Sequence, residues 1–171
     1  MNENQIIGKQ VKVGKGTKIW NWVNIYGDVK IGSDCMVGCF VEIQDSVVIG
    51  DRTKISSHSF ICSNVKIGND CFIAHGVKFC NDKFDGGIVH YDKKDWGSVT
   101  VEDEVKIGSN VTILPDVVIG FGSVIGAGSV VTKSIPPNSI AMGNPAKVYE
   151  RKNYRLKITE NSTSSHGYMV R

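Results

Sequence analysis

The sequence predicts an all-β chain wound as a parallel β-helix, and three periodic observations support this prediction. An aliphatic or aromatic residue recurs at every sixth position from residue 7 to 79, without a change of phase, and again from 101 to 131. The residue four places after each of them is small or β-branched, from 11 to 77 and from 105 to 129. Glycine directly follows many of the repeat residues, where it eases a corner between strands. A period of six fits neither a helix nor simple alternation and is typical of a repeat architecture.

Three hexapeptides would close one triangular coil, so residues eighteen apart in sequence should stack on adjacent coils. The nineteen repeats correspond to about six coils, and a spacing of ~4.8 Å between coils gives a prism roughly 30 Å tall. We expect the repeat residues to fill its interior and most charged residues of the regular coils to form a solvated face.

Length and composition indicate one domain with a thin core. The chain has 171 residues, of which 41% are hydrophobic, and 20 Lys and Arg against 17 Asp and Glu give a net charge of +3. The basic residues are dispersed until the C-terminal stretch, which disfavours nucleic acid as a partner. The start of the chain, MNENQII, lacks a signal-peptide pattern, and no run approaches the ~18 apolar residues of a membrane span. We therefore expect a cytoplasmic protein with no membrane contact.

The five cysteines form no CxxC pair, so we expect neither disulfides nor a zinc site. Cys35 and Cys71 occupy the column of small residues, where a thiol acts as a small hydrophobe. Cys62 and Cys80 are eighteen apart and should stack near a corner. We interpret them as core or surface residues, with a reactive thiol as the alternative.

In the first coil, Trp20 and Trp22 should point outward because Ile19 takes the interior position. Two exposed indoles fit either a contact between subunits or a cap over the open end of the helix. Both interpretations stay open from the sequence.

The repeat is interrupted between residues 80 and 98, and we place the chemistry there. If Val101 is the repeat after Phe79, this loop adds sixteen residues at one corner. Long loops in compact domains are often functional, and Phe84, Tyr91 and Trp96 argue against disorder. We divide the chain into a β-helix domain at 1–148, with this loop inserted, and a C-terminal extension at 149–171, whose conformation stays open.

The repeats resemble those of the hexapeptide-repeat acyltransferases, which form left-handed parallel β-helices. The segment 140–147, Ile-Ala-Met-Gly-Asn-Pro-Ala-Lys, is similar to the closing motif of that family beside the coenzyme A site. Within the family the chain most resembles N-acetyltransferases that act on nucleotide-linked amino sugars. That resemblance is carried by Ile19-Trp20, by the run FIAHGVKFCND at 72–82 and by the loop with Trp96, and it extends over residues 1 to about 148.

The resemblance implies two catalytic residues, Asn81 and His75. A carboxamide can accept from an amine and donate to a hydroxyl, so Asn81 would hold the sugar and its reacting amine. From residue type alone, an Asn at a corner would be interpreted as a turn residue. His75 could accept the proton of the amine or only bind the substrate, because a neutral amine is already a nucleophile.

The other implied contacts follow from the same resemblance. Four residues are expected to touch the sugar nucleotide: Asp82, His58, His90 and Trp96. Acetyl-CoA should lie along the later coils, with its pantetheine near Ser109 and Ala127 and its phosphates near Lys133, Lys147 or Arg151. The family forms homotrimers with sites between subunits, so the loop would complete a neighbour's pocket.

The sequence therefore predicts transfer of acetyl from acetyl-CoA to the amine of a nucleotide-diphosphate amino sugar, a 3-amino deoxyhexose, for lipopolysaccharide or O-antigen. The alternative within enzymes is O-acetylation of a hydroxyl, which makes a histidine base obligatory. A γ-carbonic-anhydrase-like zinc enzyme needs three histidines, two of them five residues apart, and the four present include no such pair. The non-enzyme alternative is a trimeric scaffold, which saturable acetyl-CoA binding would exclude.

Overall fold

The computed structural model describes residues 4–150, which form a parallel β-helix of short strands with two 3-10 turns in its single long loop. The strands lie in three sheets, one for each face of a triangular prism. Face A contains β1 (Gln5–Ile7), β4 (Val23–Ile25), β7 (Glu42–Ile43), β10 (Phe60–Ile61), β13 (Lys78–Phe79), β16 (Thr112–Ile113) and β19 (Val130–Val131). Face B contains β2 (Lys12–Val13), β5 (Lys30–Ile31), β8 (Val48–Ile49), β11 (Val65–Ile67), β14 (Val99–Val101) and β17 (Val118–Ile119).

Face C closes the prism and carries its C-terminal end. It contains β3 (Lys18–Ile19), β6 (Met36–Val37), β9 (Lys54–Ile55), β12 (Phe72–Ile73), β15 (Lys106–Ile107), β18 (Val124–Ile125), β20 (Ser139–Met142) and β21 (Lys147–Glu150). Strands pair in parallel on all three faces, except that β21 folds back antiparallel on β20. The predicted all-β helix of hexapeptide repeats with one extended loop is confirmed. The domain boundary at 148 stays a prediction. The last strand, β21, continues across it to Glu150, and Arg151 and the residues after it lie outside the described residues.

The predicted spacing of eighteen residues sets the strand register. Ile25 pairs with Ile43, and Ile43 with Ile61, each eighteen residues on. At the C-terminal end the offset falls to sixteen, since Ile125 pairs with Ala141. Across the loop it rises from eighteen to thirty-four, since Ile67 pairs with Val101. The difference of sixteen is the predicted insertion, and it lets the coils above the loop continue in the same register.

Both predicted columns are buried from the second coil upward, with Ile and Val in one and Val, Cys, Thr and Ser in the other. The first coil differs from the prediction. Val13 is 41% exposed, and Ile7 and Ile19 are only partly covered. Their side chains have a coil above them but no described coil below, so the interior is solvent-accessible at this end.

Polar and sulfur side chains in the small column bond to the backbone instead of interrupting the core. Thr53 Oγ1 donates to the carbonyl of Gly68 at 2.8 Å and accepts from the N–H of Cys71 at 3.0 Å. Burial raises the pKa of the Cys71 thiol, and it raises that of Cys62 to about 12. The thiol of Cys80, beside Cys62 on the next coil, also has a raised pKa because of burial. These shifts disfavour thiolates and support the core interpretation of the cysteines.

Candidate functional site

The three corners of the prism repeat the same turn with different side chains, and one of them is closed by its own residues. At the corner after face B, which we call the capped corner, Asp51, Asn69 and Asp103 stack on successive coils. The N–H of Asp51 donates to Asn69 Oδ1 at 2.8 Å, and the N–H of Asn69 donates to Asp103 Oδ1 at 2.8 Å. Each carboxyl or amide group therefore satisfies a backbone donor on the coil below.

The corner after face C, which we call the open corner, has no such caps. Its column contains Ser57, His75, Ser109 and Ala127, stacked on successive coils. None of these four backbone N–H groups has a hydrogen-bond acceptor within residues 4–150. The carbonyl groups of Ser57, His75 and Ser109 remain in the turn ladder, as when the N–H of Asn110 donates to the carbonyl of His75 at 2.9 Å. The open corner is thus a row of backbone donors available to a ligand.

The imidazole of His75 lies in the middle of this column and is exposed. Its ring has no hydrogen-bond partner among the described residues. Below it, an apolar groove of about 380 Å³ runs along face C, lined among others by Trp20, Met36, Cys39, Ser57, Phe72 and His75. Above it lie Ser109 and Ala127, whose small side chains leave the backbone accessible. His75 therefore stands where an apolar groove meets the row of free donors.

His58 lies beside this column, one coil below Gly76, as the sequence predicted. Its ring stacks on that of Phe40, with the ring centroids 4.9 Å apart. Phe40 in turn stacks on Trp22 at 5.2 Å, so the exposed Trp22 is part of an aromatic column. Trp20, by contrast, lines the groove.

Asn81 lies at the corner after face A, which we call the loop corner, at the point where the long loop leaves the coil. Its carbonyl accepts from the N–H of Gly97 at 2.8 Å, and this bond closes the neck of the loop. Its carboxamide has no partner within residues 4–150. Asn81 therefore closes a turn through its backbone carbonyl and leaves its carboxamide available to a ligand.

The three predicted loop residues form one connected network. His90 Nδ1 lies 2.8 Å from Asp82 Oδ1, and the N–H groups of Phe84 and His90 donate to the same carboxylate at 2.8 and 2.9 Å. Trp96 Nε1 donates to the carbonyl of His90 at 2.6 Å. The bonds from His90 and Phe84 lower the pKa of Asp82 to about 2. The loop therefore has its own hydrogen-bonded frame.

Two carboxylates of the coils hold the loop from outside. Asp116, one coil above the neck, accepts from the N–H of Ser98 at 3.1 Å and pairs with Lys83 at 3.1 Å. Asp45, two coils below the neck, pairs with Lys93 near the end of the loop. The ammonium of Lys93 and the N–H of Asp28 lower the pKa of Asp45 to about 2. Neither carboxylate is among the site residues predicted from the sequence. The eighteen-residue spacing from Ser98 to Asp116 would have indicated the first, but no spacing indicates the pair with Lys93.

The described residues form a triangular prism of six-residue strand repeats, and comparison with known proteins decides the family. The model of the family "Bacterial transferase hexapeptide (six repeats)" matches residues 10–45, 46–81 and 98–133, well over half of the chain. The chain belongs to this family. Its repeats stop at Asn81 and resume at Ser98, so the loop is an addition to the hexapeptide transferase framework.

This hexapeptide protein resembles a curated relative over most of the length of both proteins. It is 35% identical over 138 residues to the Escherichia coli (strain K12) protein "Putative lipopolysaccharide biosynthesis O-acetyl transferase WbbJ", in a match that covers 78% of this chain and 66% of that protein. Three other curated relatives match along only 24 to 34% of their own length.

Solved structures share the fold. A mutant GDP-perosamine N-acetyl transferase of Caulobacter crescentus, solved with CoA and GDP-perosamine, superposes with a TM-score of 0.62 at 20% identity, over 86% of this chain and 54% of that one. The polySia-specific acetyltransferase NeuO superposes with a TM-score of 0.57 at 25% identity, over 90% and 93%.

Within this hexapeptide framework, the predicted site residues are divided between two corners. Ser109 and Ala127 lie directly above His75. Lys147 lies further up the same face, because it pairs with Met142, which packs on Gly126. Lys133, by contrast, lies two coils above Asn81 at the loop corner. His75 and Asn81 are separated by one full face of the prism, and a single chain does not bring them together.

Metal ligation and membrane insertion find no support in the described part of the chain. Residues 4–150 contain no group of three His, Cys, Asp or Glu side chains placed to hold a metal ion. No helix in this range is long and apolar enough to cross a bilayer.

Proposed function

We propose that this protein transfers an acetyl group from acetyl-CoA to the amine of a nucleotide-diphosphate-linked amino sugar, of the 3-amino deoxyhexose class, in the cytoplasm for surface polysaccharide. The single observation that carries the proposal is the position of His75. Its exposed imidazole lies between an apolar groove below and a row of free backbone donors above. Such a position lets one residue meet two substrates that approach along the same corner.

The upper part of the open corner suits the pantetheine arm of acetyl-CoA. An extended chain with two amides can run along the corner as an extra strand would, accepting from the N–H groups of Ser109 and Ala127. At Gly128 no atom lies within 4 Å of the place that a Cβ would take, which leaves room for close approach. The exposed Lys147 stands at the end of this path, where it would face a phosphate. Lys133 and Arg151 stay predicted phosphate contacts.

The reaction needs little acid–base chemistry because the nucleophile is a neutral amine. The amine nitrogen bonds to the thioester carbonyl carbon, the carbon–sulfur bond breaks, and the proton of the amine passes to His75 or to the departing thiolate. The free N–H groups of the open corner would stabilise the negative oxygen formed in between. Orientation of the amine, the role of Asn81, then contributes most to the rate.

Because His75 and Asn81 lie at different corners, a complete site needs two chains. The loop beside Asn81 exposes Phe84, Ile88, Val89 and Tyr91, the last of them at 89%. The groove beside His75 exposes Trp20, Met36 and Phe72. Apolar surfaces at two different corners of one chain can pair head to tail, and such contacts form a ring when the rotation between neighbouring subunits closes. A homotrimer with the loop of one subunit over the groove of the next meets this requirement.

O-acetylation of a sugar is the second candidate, favoured by the relative from Escherichia coli, which is named as an O-acetyl transferase. A hydroxyl must be deprotonated as it attacks, so His75 would then be essential. Both candidates use the same groove and the same acetyl donor.

The proposal is tested by thiol release from acetyl-CoA against a panel of nucleotide-linked amino and hydroxy sugars. We expect release with an amino sugar and none with the matched hydroxy sugar. Release with the hydroxy sugar alone would establish the second candidate. If acetyl-CoA does not bind even at high concentration, both acetyl-transfer candidates are contradicted and the trimeric scaffold becomes the preferred interpretation.

Subunit complementation tests the shared site. Asn81→Ala chains lose the sugar contact, and Ser57→Trp chains fill the groove beside His75. If sites lie between subunits, trimers reassembled from both variants contain some interfaces with an intact groove and an intact Asn81. We expect activity to reappear on mixing, and its absence in demonstrably mixed trimers would contradict a shared site.

A further inference from the structure

An aromatic column runs up one edge of the open corner, and none of its members is a reacting group in the proposed transfer. Trp22, Phe40 and His58 occupy equivalent turn positions on three successive coils, each with a left-handed backbone at φ 56°, 58° and 64°. Their rings are nearly parallel, with interplanar angles of 5° and 11° and centroids 5.2 and 4.9 Å apart. The coil spacing thus holds successive rings at stacking distance.

The column is interrupted at the next coil by Gly76. The backbone there is also left-handed, at φ 69°, but Phe40, His58 and Asn110 adopt the same conformation with side chains. The turn alone therefore does not require glycine at this position. Above Gly76 stands Asn110, whose Oδ1 reaches down to the place that a Cβ of residue 76 would take. The upper face of the His58 ring is consequently free of a ring partner, and a carboxamide stands over the gap.

A positive charge lies at the edge of the same gap. The ammonium group of Lys78 donates to the carbonyl of Gly76 at 3.2 Å and to that of His58 at 3.4 Å. Lys78 is exposed and forms no ion pair among the described residues. A planar ring face, an amide and a cation without an ion-pair partner among the described residues therefore surround one position in the column that holds no ring.

We propose that this position binds the base of a phosphorylated nucleotide, which continues the stack on His58. Asn110 would hydrogen-bond the edge of the base and Lys78 would contact a phosphate. The inference deepens the proposed function and rests on it, because both of its substrates carry a nucleotide: 3′-phosphoadenosine diphosphate in acetyl-CoA and a nucleoside diphosphate in the nucleotide-linked sugar. His75 is adjacent to Gly76 in the chain, so the base would lie next to the open corner, where the two substrates would react.

The test is calorimetric binding of four free nucleotides to the intact protein: dTDP, UDP, GDP and 3′-phosphoadenosine 5′-diphosphate. Stacking of a base on an aromatic side chain is strong enough that His58→Ala should weaken binding about tenfold or more. His58→Phe keeps the flat ring and should retain most of the affinity. Trp22→Ala, at the other end of the column, is the matched control and should change affinity less than about twofold. The nucleotide that responds identifies whether the base comes from the nucleotide-linked sugar or from coenzyme A.

Ribose 5-phosphate, which has no base, separates stacking from charge. Its weak binding should be insensitive to His58→Ala and sensitive to Lys78→Ala, whereas each responding nucleotide should be sensitive to both. If His58→Ala lowers the affinity for ribose 5-phosphate and for the nucleotides by the same factor, the stacking role of His58 is overturned. So would unchanged nucleotide affinity in that variant, or no binding of any of the four nucleotides to the unaltered protein.

Failure of this inference can be told from failure of the proposed function, because binding is read without turnover. If no acetyl transfer occurs but the pattern of nucleotide affinities is as expected, the nucleotide position stands and the acetyltransferase proposal falls. If transfer occurs with normal Michaelis constants for both substrates in His58→Ala, the nucleotide position is wrong and the transferase proposal stands.

Discussion

The capped corner and the open corner have the same backbone turn, yet one completes its own hydrogen bonds and the other does not. At the capped corner, Asp51, Asn69 and Asp103 accept from the N–H groups of the coil below. At the open corner, His75, Ser109 and Ala127 stand in equivalent places and cap nothing within the described residues. The difference teaches that one side chain per coil decides whether the backbone donors of a corner are satisfied by the protein itself or left available.

The open corner costs little stability because its donors are not buried. A buried N–H without a partner is destabilising, but a donor at an exposed turn is satisfied by water. A ligand then exchanges that water for its own acceptors. Function can therefore be placed on one corner while the shared core and the other corners keep the coil intact.

The largest expected effect on function comes from Asn81→Ala at the loop corner. Loss of the amide that orients the amine should lower kcat/KM about 100-fold. The carboxamide bonds to nothing among the described residues, and the neck bond uses the backbone, so the unfolding midpoint should not change. Steady-state kinetics with the best amino sugar, together with a thermal melt, measures both. Unchanged turnover would remove Asn81 from the site.

A substitution at the capped corner should instead lower the stability of the fold. Asp103→Ala leaves the N–H and the carboxamide of Asn69 without their acceptors, at 2.8 and 3.2 Å, and should cost about 1–3 kcal/mol in the free energy of unfolding. Ser109→Ala, its matched control at the open corner, should change that free energy by less than about 0.5 kcal/mol. Equilibrium urea unfolding of the two variants compares them. Equal stabilities would show that the two corners do not differ as described.

A smaller effect is expected from His75→Ala, in the middle of the open corner. With an amine acceptor, turnover should fall about tenfold, less than the ~10²–10⁴-fold that general-base catalysis contributes. Folding should be unaffected, because the ring has no partner in the described residues. Rates with paired amino and hydroxy sugars measure this. Near-complete loss of activity would instead favour the hydroxyl acceptor.

Acid should detach the loop without unfolding the coils. The pKa of Asp82 is lowered to about 2 by its bonds with His90 and Phe84, so the carboxylate stabilises the loop above about pH 4. That contribution is lost as pH falls through about 2. Trp96 fluorescence, in a background with Trp20→Phe and Trp22→Phe, should be constant from pH 7 to about 4 and change below. In Asp82→Asn the low-pH signal should already be present at pH 7.

The sequence predicted the coils well because their physics is local and repeated. A buried residue every six positions fixes the strand register, and the thirty-four-residue step to Val101 follows from counting. It also placed His58 below Gly76. What it could not predict was the pairing of Lys93 with Asp45, since a loop residue can reach many surface charges. Nor could it predict that Asn110 lies over Gly76, which depends on a side-chain conformation.

The smallest expected effect concerns Lys93, near the end of the loop, which is attached to the coil two levels below the neck. Lys93→Ala removes the ion pair with Asp45, and because the lysine is 55% exposed, stability should change by less than about 1 kcal/mol. The loop would still be held at its neck by Asp116 and Gly97. If the loop covers a neighbour's groove, the variant should raise the Michaelis constant for the sugar a few-fold and leave that for acetyl-CoA unchanged. Lys94→Ala, whose partner Asp92 lies within the loop, is the control, and an equal effect from it would mean that the anchor to Asp45 does not position the loop.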